Sequence, residues 1–307
     1  MTEIEAEDMA GVKIKVGVDI GGIVTASVKY TPEEIYRTCH KLPEFKFRKD
    51  DIMICAFQKT GTNWLYEILS MINNRSAERV KTTKMMTMIE VIPQEEMEKL
   101  PSPRVLNCHL PFRYLPKDMK DCKTVLLLRN PKDTTVSSYH FMKGMKSMEY
   151  DGKFIDWLPV YLQGKLTYGK YADYLKEWEK ALTDGVEFPL HVMFYEDLKL
   201  NGMNEMNRLL KFLDVDIDEQ LKKDILEACG FEKMAVEKTL VAKDTIKAIF
   251  HPGFQFFRKG EIGDWKNWFT VAQNEMFDEV WNREMKDSKM FKFIYSNPHV
   301  KGQIDDQ

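Results

Sequence analysis

The chain has 307 residues, of which 44% are hydrophobic and 30% charged, and its formal net charge is −3. That hydrophobic fraction excludes a disordered chain, and 16 Gly and 12 Pro exclude a collagen-like or low-complexity one. No apolar run approaches the ~20 residues that span a bilayer, and the acidic balance argues against a broad nucleic-acid surface, although 45 Lys and Arg leave room for a local phosphate site. Residues 1–10 read as a frayed end. Residues 12–30, rich in Val and Ile around Gly21-Gly22, read as a short hairpin, so 1–30 is set apart as an N-terminal extension from a domain over 31–307. Thr31-Pro32-Glu33-Glu34 predicts a helix start, with Thr31 as the capping oxygen and Pro in the first position. Asp51 to Phe57 is an apolar run and predicts a buried strand. Gln58-Lys59-Thr60-Gly61-Thr62-Asn63 follows as a polar turn, and Trp64, Leu65, Ile68, Leu69 and Ile72 then fall at helical spacing.

The same grammar recurs downstream. Strands are predicted at Arg104–Leu110, Lys123–Leu128 and Leu190–Tyr195, and helices at Asp133–Met142 and Met203–Leu213. Apolar strands alternating with helices imply a single α/β domain with a central, mainly parallel sheet flanked by helices. Ligands of such sheets bind at the carboxyl ends of the strands, which places the expected chemistry after residues 57, 110, 128 and 195. From about Phe231 the pattern is less regular, passing through Phe254–Gly260 and then Trp265–Glu275 before a helical tail. A long connection of this kind is often a functional lid.

Several residues stand where those loops begin. The strand–turn–helix at 51–73 offers unpaired amides and a positive dipole end, Gly61 permits close backbone approach, and Lys59 adds a mobile charge. Lys59 precedes Gly61, so this is not a Walker A loop; an ordinary strand–helix turn with a surface lysine stands beside the phosphate reading. Arg129 closes a strand eight residues before Ser137 and has the geometry to fork onto phosphate, or to pair with Asp133. Arg258-Lys259-Gly260 is either a second cationic loop or a solvated basic turn. His109, at a strand end before Pro111, is a candidate general base or a structural histidine. The methionines at 85–88 and 142–148 suit either an adaptable pocket or core packing. The five cysteines, Cys39, Cys55, Cys108, Cys122 and Cys229, are odd in number and lack a C-x-x-C pair. That fits a reducing compartment, and with the acidic segment Met1–Asp8 the expected location is the cytoplasm. No metal-ligand spacing is present.

Taken together, these blocks resemble the cytosolic sulfotransferases from about Tyr30 to Phe293. Gln58-Lys59-Thr60-Gly61-Thr62-Asn63-Trp64 is similar to the family's loop for the 5′-phosphosulfate of 3′-phosphoadenosine 5′-phosphosulfate (PAPS). Arg129 and Ser137, and then Phe257-Arg258-Lys259-Gly260 followed by Gly263-Asp264-Trp265-Lys266, resemble its two 3′-phosphate blocks. Trp64, Tyr195, Cys229 and Phe231 match positions around the adenine. His109, in His-Leu-Pro, matches the catalytic base, and Phe141 and Phe112 are the acceptor-pocket candidates. Lys266, Thr270, Val271 and Glu275 match the family's dimerisation motif. The resemblance implies sulfuryl transfer from PAPS, without a metal, to the hydroxyl or amine of a small apolar acceptor such as a phenol, alcohol or steroid, with PAP as product. By analogy with phosphoryl transfer, Lys59 and Ser137 would serve the reacting end beside His109.

The sequence departs from the family pattern at Gln58 (usually Pro), Asn63 (usually Thr) and Cys229 (usually Thr). It also has Asn107 where many members carry a lysine thought to help at the transferring group. Two rival readings follow: a PAPS- or ligand-binding protein with weak or no turnover, motivated by Asn107, and a nucleotide kinase, motivated by the phosphate loop. Val16–Gly22 also resembles the first phosphate loop of the actin-like ATPases and sugar kinases, but no partner loops accompany it, and a glycine-containing hairpin is the favoured reading.

Overall fold

The computed structural model describes residues 3–26 and 29–298. Its centre is a four-stranded parallel sheet of order β5-β4-β6-β7, formed by β4 (Ile52–Ala56), β5 (Val105–Cys108), β6 (Lys123–Leu128) and β7 (Leu190–Phe194). β4 and β5 are buried throughout, because helices cover both faces of the sheet. Side chains alternate between the faces with the period of two that strands impose. On one side, Met53, Cys55, Leu106, Cys108, Leu126 and Leu128 pack with Tyr174, Leu175 and Trp178 of α6 (Tyr171–Asp184). On the other, Ile54, Ala56, Val125 and Leu127 pack against α2 (Thr62–Asn74), α8 (Gly202–Leu213) and α9 (Glu219–Ala228). The predicted strands and helices of this α/β core are all present, with ends displaced by no more than a few residues. All five cysteines are buried free thiols.

The remaining elements close around this core. α1 (Pro32–Lys41) begins with Thr31 accepting from the Glu34 amide while the Glu34 carboxylate accepts from Thr31, a reciprocal cap that also carries Pro at its start. α3 (Gln94–Met97) is one turn. α4 (Pro131–Gly144) is capped by the Asn130 side chain, and α5 (Phe154–Leu162) and α7 (Tyr195–Leu200) are short. Residues 231–249 form a helical run of α10 (Phe231–Lys233), a π-helical turn at Met234–Lys238, α11 (Thr239–Val241) and α12 (Lys243–Ile249). The sequence shows no steady period there because the π turn shifts the helical face. α13 (Val271–Met285) closes the chain's last packed layer, starting from a second reciprocal cap between Thr270 and Gln273. Among the described residues no helix is long and apolar enough to cross a membrane.

One expectation is corrected at the N-terminus. Residues 1–10 are not a frayed end where they are described: β1 (Ile4–Glu7) pairs antiparallel with β2 (Lys13–Asp19), which pairs in turn with β3 (Val24–Thr25). Asp8 anchors the turn. Its carboxylate accepts from the amides of Ala10 and Val12 at 2.9 Å each and from the Tyr150 hydroxyl at 2.8 Å. The predicted hairpin is the β2–β3 ribbon. Its Asp19 side chain accepts from the amides of Gly21 and Gly22, and its residues 27 and 28 lie outside the described segment.

Candidate active site

The four sheet strands end at 56, 108, 128 and 194, and Lys59, His109, Arg129 and Tyr195 follow within three residues. One cavity at this carboxyl edge is lined by all four. Its shape begins with the turn after β4. Gly61 has a φ of 107° and caps α2; a Cβ there would lie 2.7 Å from Cδ2 of Tyr195, so the ring's approach requires glycine. The turn is fixed by Thr60, whose hydroxyl donates to the Phe57 carbonyl at 2.8 Å, and by Gln58, whose amide donates to the Thr167 carbonyl at 2.9 Å. The Thr60 side chain is thus turned away from the cavity, while Gly61, Thr62, Asn63 and Trp64 line it with the first amides of α2.

Lys59 reaches into the cavity between aromatic faces. Its ammonium is 4.0 Å from the ring centre of Phe141 and 5.7 Å from that of Phe256. Burial, reinforced by the charges of Lys84, Arg129 and Arg258, pushes its pKa down to about 7. A buried lysine facing three other cations is arranged for an anion.

Arg129, Arg258 and Lys259 extend that positive wall. Arg129 donates to the carbonyls of Lys59 at 3.2 Å and Glu261 at 3.3 Å, and its guanidinium lies 4.3 Å over the Tyr195 ring. Ser137 lines the cavity from α4, and Arg258 is held by Asp264 at 2.5 Å. Lys259 and Gly260 also line it. Gly260 has a φ of 67°, and a Cβ there would clash with the Phe231 ring. Trp64 stands edge-on to Tyr195 with ring centres 5.2 Å apart, and Cys229, Phe231 and Phe257 complete this end. Three buried polar atoms of lining residues have no hydrogen-bond partner among the described residues: Thr62 Oγ1, Trp64 Nε1 and Arg129 Nε. Leaving such atoms unpaired costs about 1–3 kcal/mol each, and their donors fit an acceptor-rich ligand such as a phosphate ester.

His109 is the first residue after β5 and is 5% exposed. Its amide donates to Glu90 at 2.9 Å, and Nδ1 lies 2.7 Å from the Ala56 carbonyl. A carbonyl only accepts, so Nδ1 carries the proton and Nε2 is the unprotonated, accepting nitrogen. Nε2 has the Lys84 ammonium at 2.5 Å. Burial first, then the Lys84 charge, hold the imidazole pKa well below its usual value, so the ring is neutral at physiological pH.

The sequence-predicted residues converge, with two corrections: Thr60 lies outside the cavity lining, its hydroxyl bonded to the Phe57 carbonyl. Phe112 does not line the cavity. The turn after Pro111 carries its ring outward onto Trp178, 5.0 Å away, and Phe188. Phe141 is in the cavity. The methionines serve as both lining and core: Met88, Met142, Met145 and Met148 are buried and also form the cavity's apolar end with Met85. Sequence reasoning missed Lys84, which is 25 residues from His109 and sits in no recognisable motif. It also missed Tyr168, whose ring stands edge-on to His109. Among the described residues no group of His, Cys, Asp or Glu is placed to hold a metal ion.

Comparison with known proteins bears on this geometry. The family model for the sulfotransferase domain matches residues 49–289. Sulfotransferase 1B1 of Canis lupus familiaris is 35% identical over 259 residues, covering 80% of this chain and 86% of the relative. Sulfotransferase 1 family member D1 of Mus musculus is 35% identical over 266 residues, covering 81% and 88%. The crystal structure of mouse sulfotransferase SULT7A1 complexed with PAP superposes with a TM-score of 0.70 at 27% identity, covering 92% of this chain and 95% of that one. A matched domain spanning most of the sequence, and relatives about a third identical over four-fifths of it, mean that this chain belongs to the sulfotransferase family.

Proposed function

We propose that the protein is a cytosolic sulfotransferase that moves the sulfuryl group of PAPS to the hydroxyl, or amine, of a small apolar acceptor such as a phenol, alcohol or steroid. The observation that carries this reading is the shared cavity: a neutral histidine whose unprotonated Nε2 meets the Lys84 ammonium, a buried lysine facing cations and aromatic rings, and the α2 N-terminus all line it. His109 accepts the acceptor's proton at Nε2. Lys59 and the amides from Gly61 to Asn63 hold the 5′-phosphate end and stabilise charge on the oxygen that leaves. Thr60 adds its amide to that turn. Arg129, Ser137, Arg258, Lys259 and Gly260 hold the 3′-phosphate, and Trp64, Tyr195, Cys229, Phe231 and Phe257 enclose the adenine. Phe141 and the methionines give the acceptor an apolar, adaptable wall.

Calorimetric titration tests the donor class. PAP should bind tightly and ATP with Mg²⁺ weakly; a preference for ATP contradicts the reading. The binding should also depend on pH with a defined sign. Lys59 is partly neutral above about pH 7 in the free protein, and a phosphate beside it favours the ammonium form. Binding therefore takes up a proton, and PAP affinity should fall as pH rises from 7 to 9, by at most about tenfold per pH unit for each coupled lysine. Titrations at pH 8 in buffers of different ionisation enthalpy read the uptake directly, and its absence would remove Lys59 from the phosphate site.

The assembly we propose is a homodimer joined through Lys266, Thr270, Val271 and Glu275. Val271 supports this as a large apolar side chain left 76% exposed in the first turn of α13. Val271→Glu places a charge in that small contact, and sedimentation velocity should shift from dimer toward monomer. An unchanged species would place the interface elsewhere.

A further inference from the structure

We propose that Lys84 is a second catalytic cation of the transfer reaction, delivered from the turn at Lys84–Thr87 to the oxygens of the sulfuryl group in flight; this rests on the sulfotransferase reading above. Lys84 is 7% exposed and lines the same cavity. Its ammonium is 2.5 Å from His109 Nε2 and 3.3 Å from Asn107 Oδ1. Among the described residues it makes no direct ion pair with a carboxylate: neutral acceptors hold its ammonium, the buried Glu90 favours its charge from beyond contact, and its cavity side is left for an anion. Burial lowers its pKa to about 8, which leaves it mainly charged at neutral pH.

The location follows from the base. An acceptor oxygen must come within about 2.6–3.2 Å of Nε2 to surrender its proton. The sulfur under attack must then lie roughly 3–3.5 Å from that oxygen. A cation already bonded to Nε2 therefore borders the reacting sulfur. When the acceptor hydroxyl takes Nε2, Lys84 loses that partner, and an anionic sulfuryl oxygen is the replacement its charge favours. In the step itself the acceptor oxygen bonds to sulfur as the bond from sulfur to the 5′-phosphate oxygen breaks. The electron pair of that bond stays on the phosphate, giving PAP, and the acceptor's proton passes to His109 Nε2. Lys59 faces the departing oxygen and Lys84 the sulfuryl oxygens; neither lysine gives up a proton.

Asn107 explains how the turn is held. Its amide nitrogen donates to the Lys84 carbonyl at 2.7 Å and to Thr87 Oγ1 at 3.0 Å, and its oxygen accepts from the Lys84 ammonium. The Ile89 amide also donates to the Asn107 carbonyl at 3.0 Å, tying the segment after the turn to the end of β5. The residue at 107 thus holds a lysine instead of being one.

The test is to remove the charge and then move it. Lys84→Met should lower kcat by about 10²-fold while PAP affinity stays within about threefold and the acceptor KM changes little. The alkaline limb of kcat should shift with the loss. Lys84→Met combined with Asn107→Lys restores an ammonium from the neighbouring strand and should recover about tenfold or more of the lost kcat. Lys84→Gln is the parallel variant if the methionine form fails to bind PAP. Wild-type kcat in the single variants overturns the proposal. So does a loss confined to acceptor KM, which marks recognition of an acidic acceptor, or a loss that relocating the charge does not relieve, which marks a structural role. A wild-type protein that forms no sulfated product with any acceptor overturns the sulfotransferase reading itself, and the role of Lys84 with it.

Discussion

His109→Ala is expected to lower acceptor sulfation by about 10²–10⁴-fold, the usual range for removing a general base. PAP affinity should be nearly unchanged, because the His109 ring makes its polar contacts to Ala56 and Lys84 and not to the residues proposed to hold the phosphates. The neutral, Nδ1-protonated imidazole needs no proton loss to act, so the acidic limb of the wild-type pH profile should lie below the ordinary histidine range. Pre-steady-state quenching with the donor in excess separates the chemical step from product release. Near wild-type turnover in the alanine variant would mean that another group takes the proton.

Lys59→Met is the second large effect. Methionine keeps most of the length and the apolar stem between Phe141 and Phe256 and removes the charge that faces the leaving oxygen. Losing one preorganised electrostatic partner costs about 10²–10³-fold in kcat. PAP should bind more weakly as well, and the fall in affinity between pH 7 and 9 should flatten, since the lysine that ionises near 7 is gone. A variant with weaker PAP binding but wild-type kcat would confine Lys59 to ground-state binding.

The parts of this account that were legible in the sequence share a physical cause. Strands buried on both faces read as apolar runs, so the four strands and the edge where they end could be placed from Asp51, Arg104, Lys123 and Leu190 onward. Lys59, His109 and Arg129 follow those runs directly, which is why their convergence was expected before any distance was known. Most of the misses are long-range. Asp8 orders the N-terminal strands partly through Tyr150, 142 residues away, and no local pattern carries that. No helix was expected at 154–184, where Pro159 lies inside α5 and apolar residues surround it. Phe112 is three residues from His109, yet the turn at Pro111 sends its ring to Trp178. Lys84 reaches His109 only because its turn is tied to the end of β5. Asn107, read alone, motivates the rival reading of a protein that binds with weak or no turnover; beside Lys84 it becomes the holder of a cation.

The measurement that tests the central claim most directly follows the sulfur. Purified protein is given ³⁵S-labelled PAPS and a panel of phenols, alcohols, steroids and amines, without added metal, and label in the organic product is compared with PAP released. Equal amounts of the two, formed only with an acceptor present and lost in His109→Ala, are the predicted result. Tight PAPS binding with no acceptor-dependent PAP from any member of the panel would contradict it and leave a binding protein built on a sulfotransferase fold.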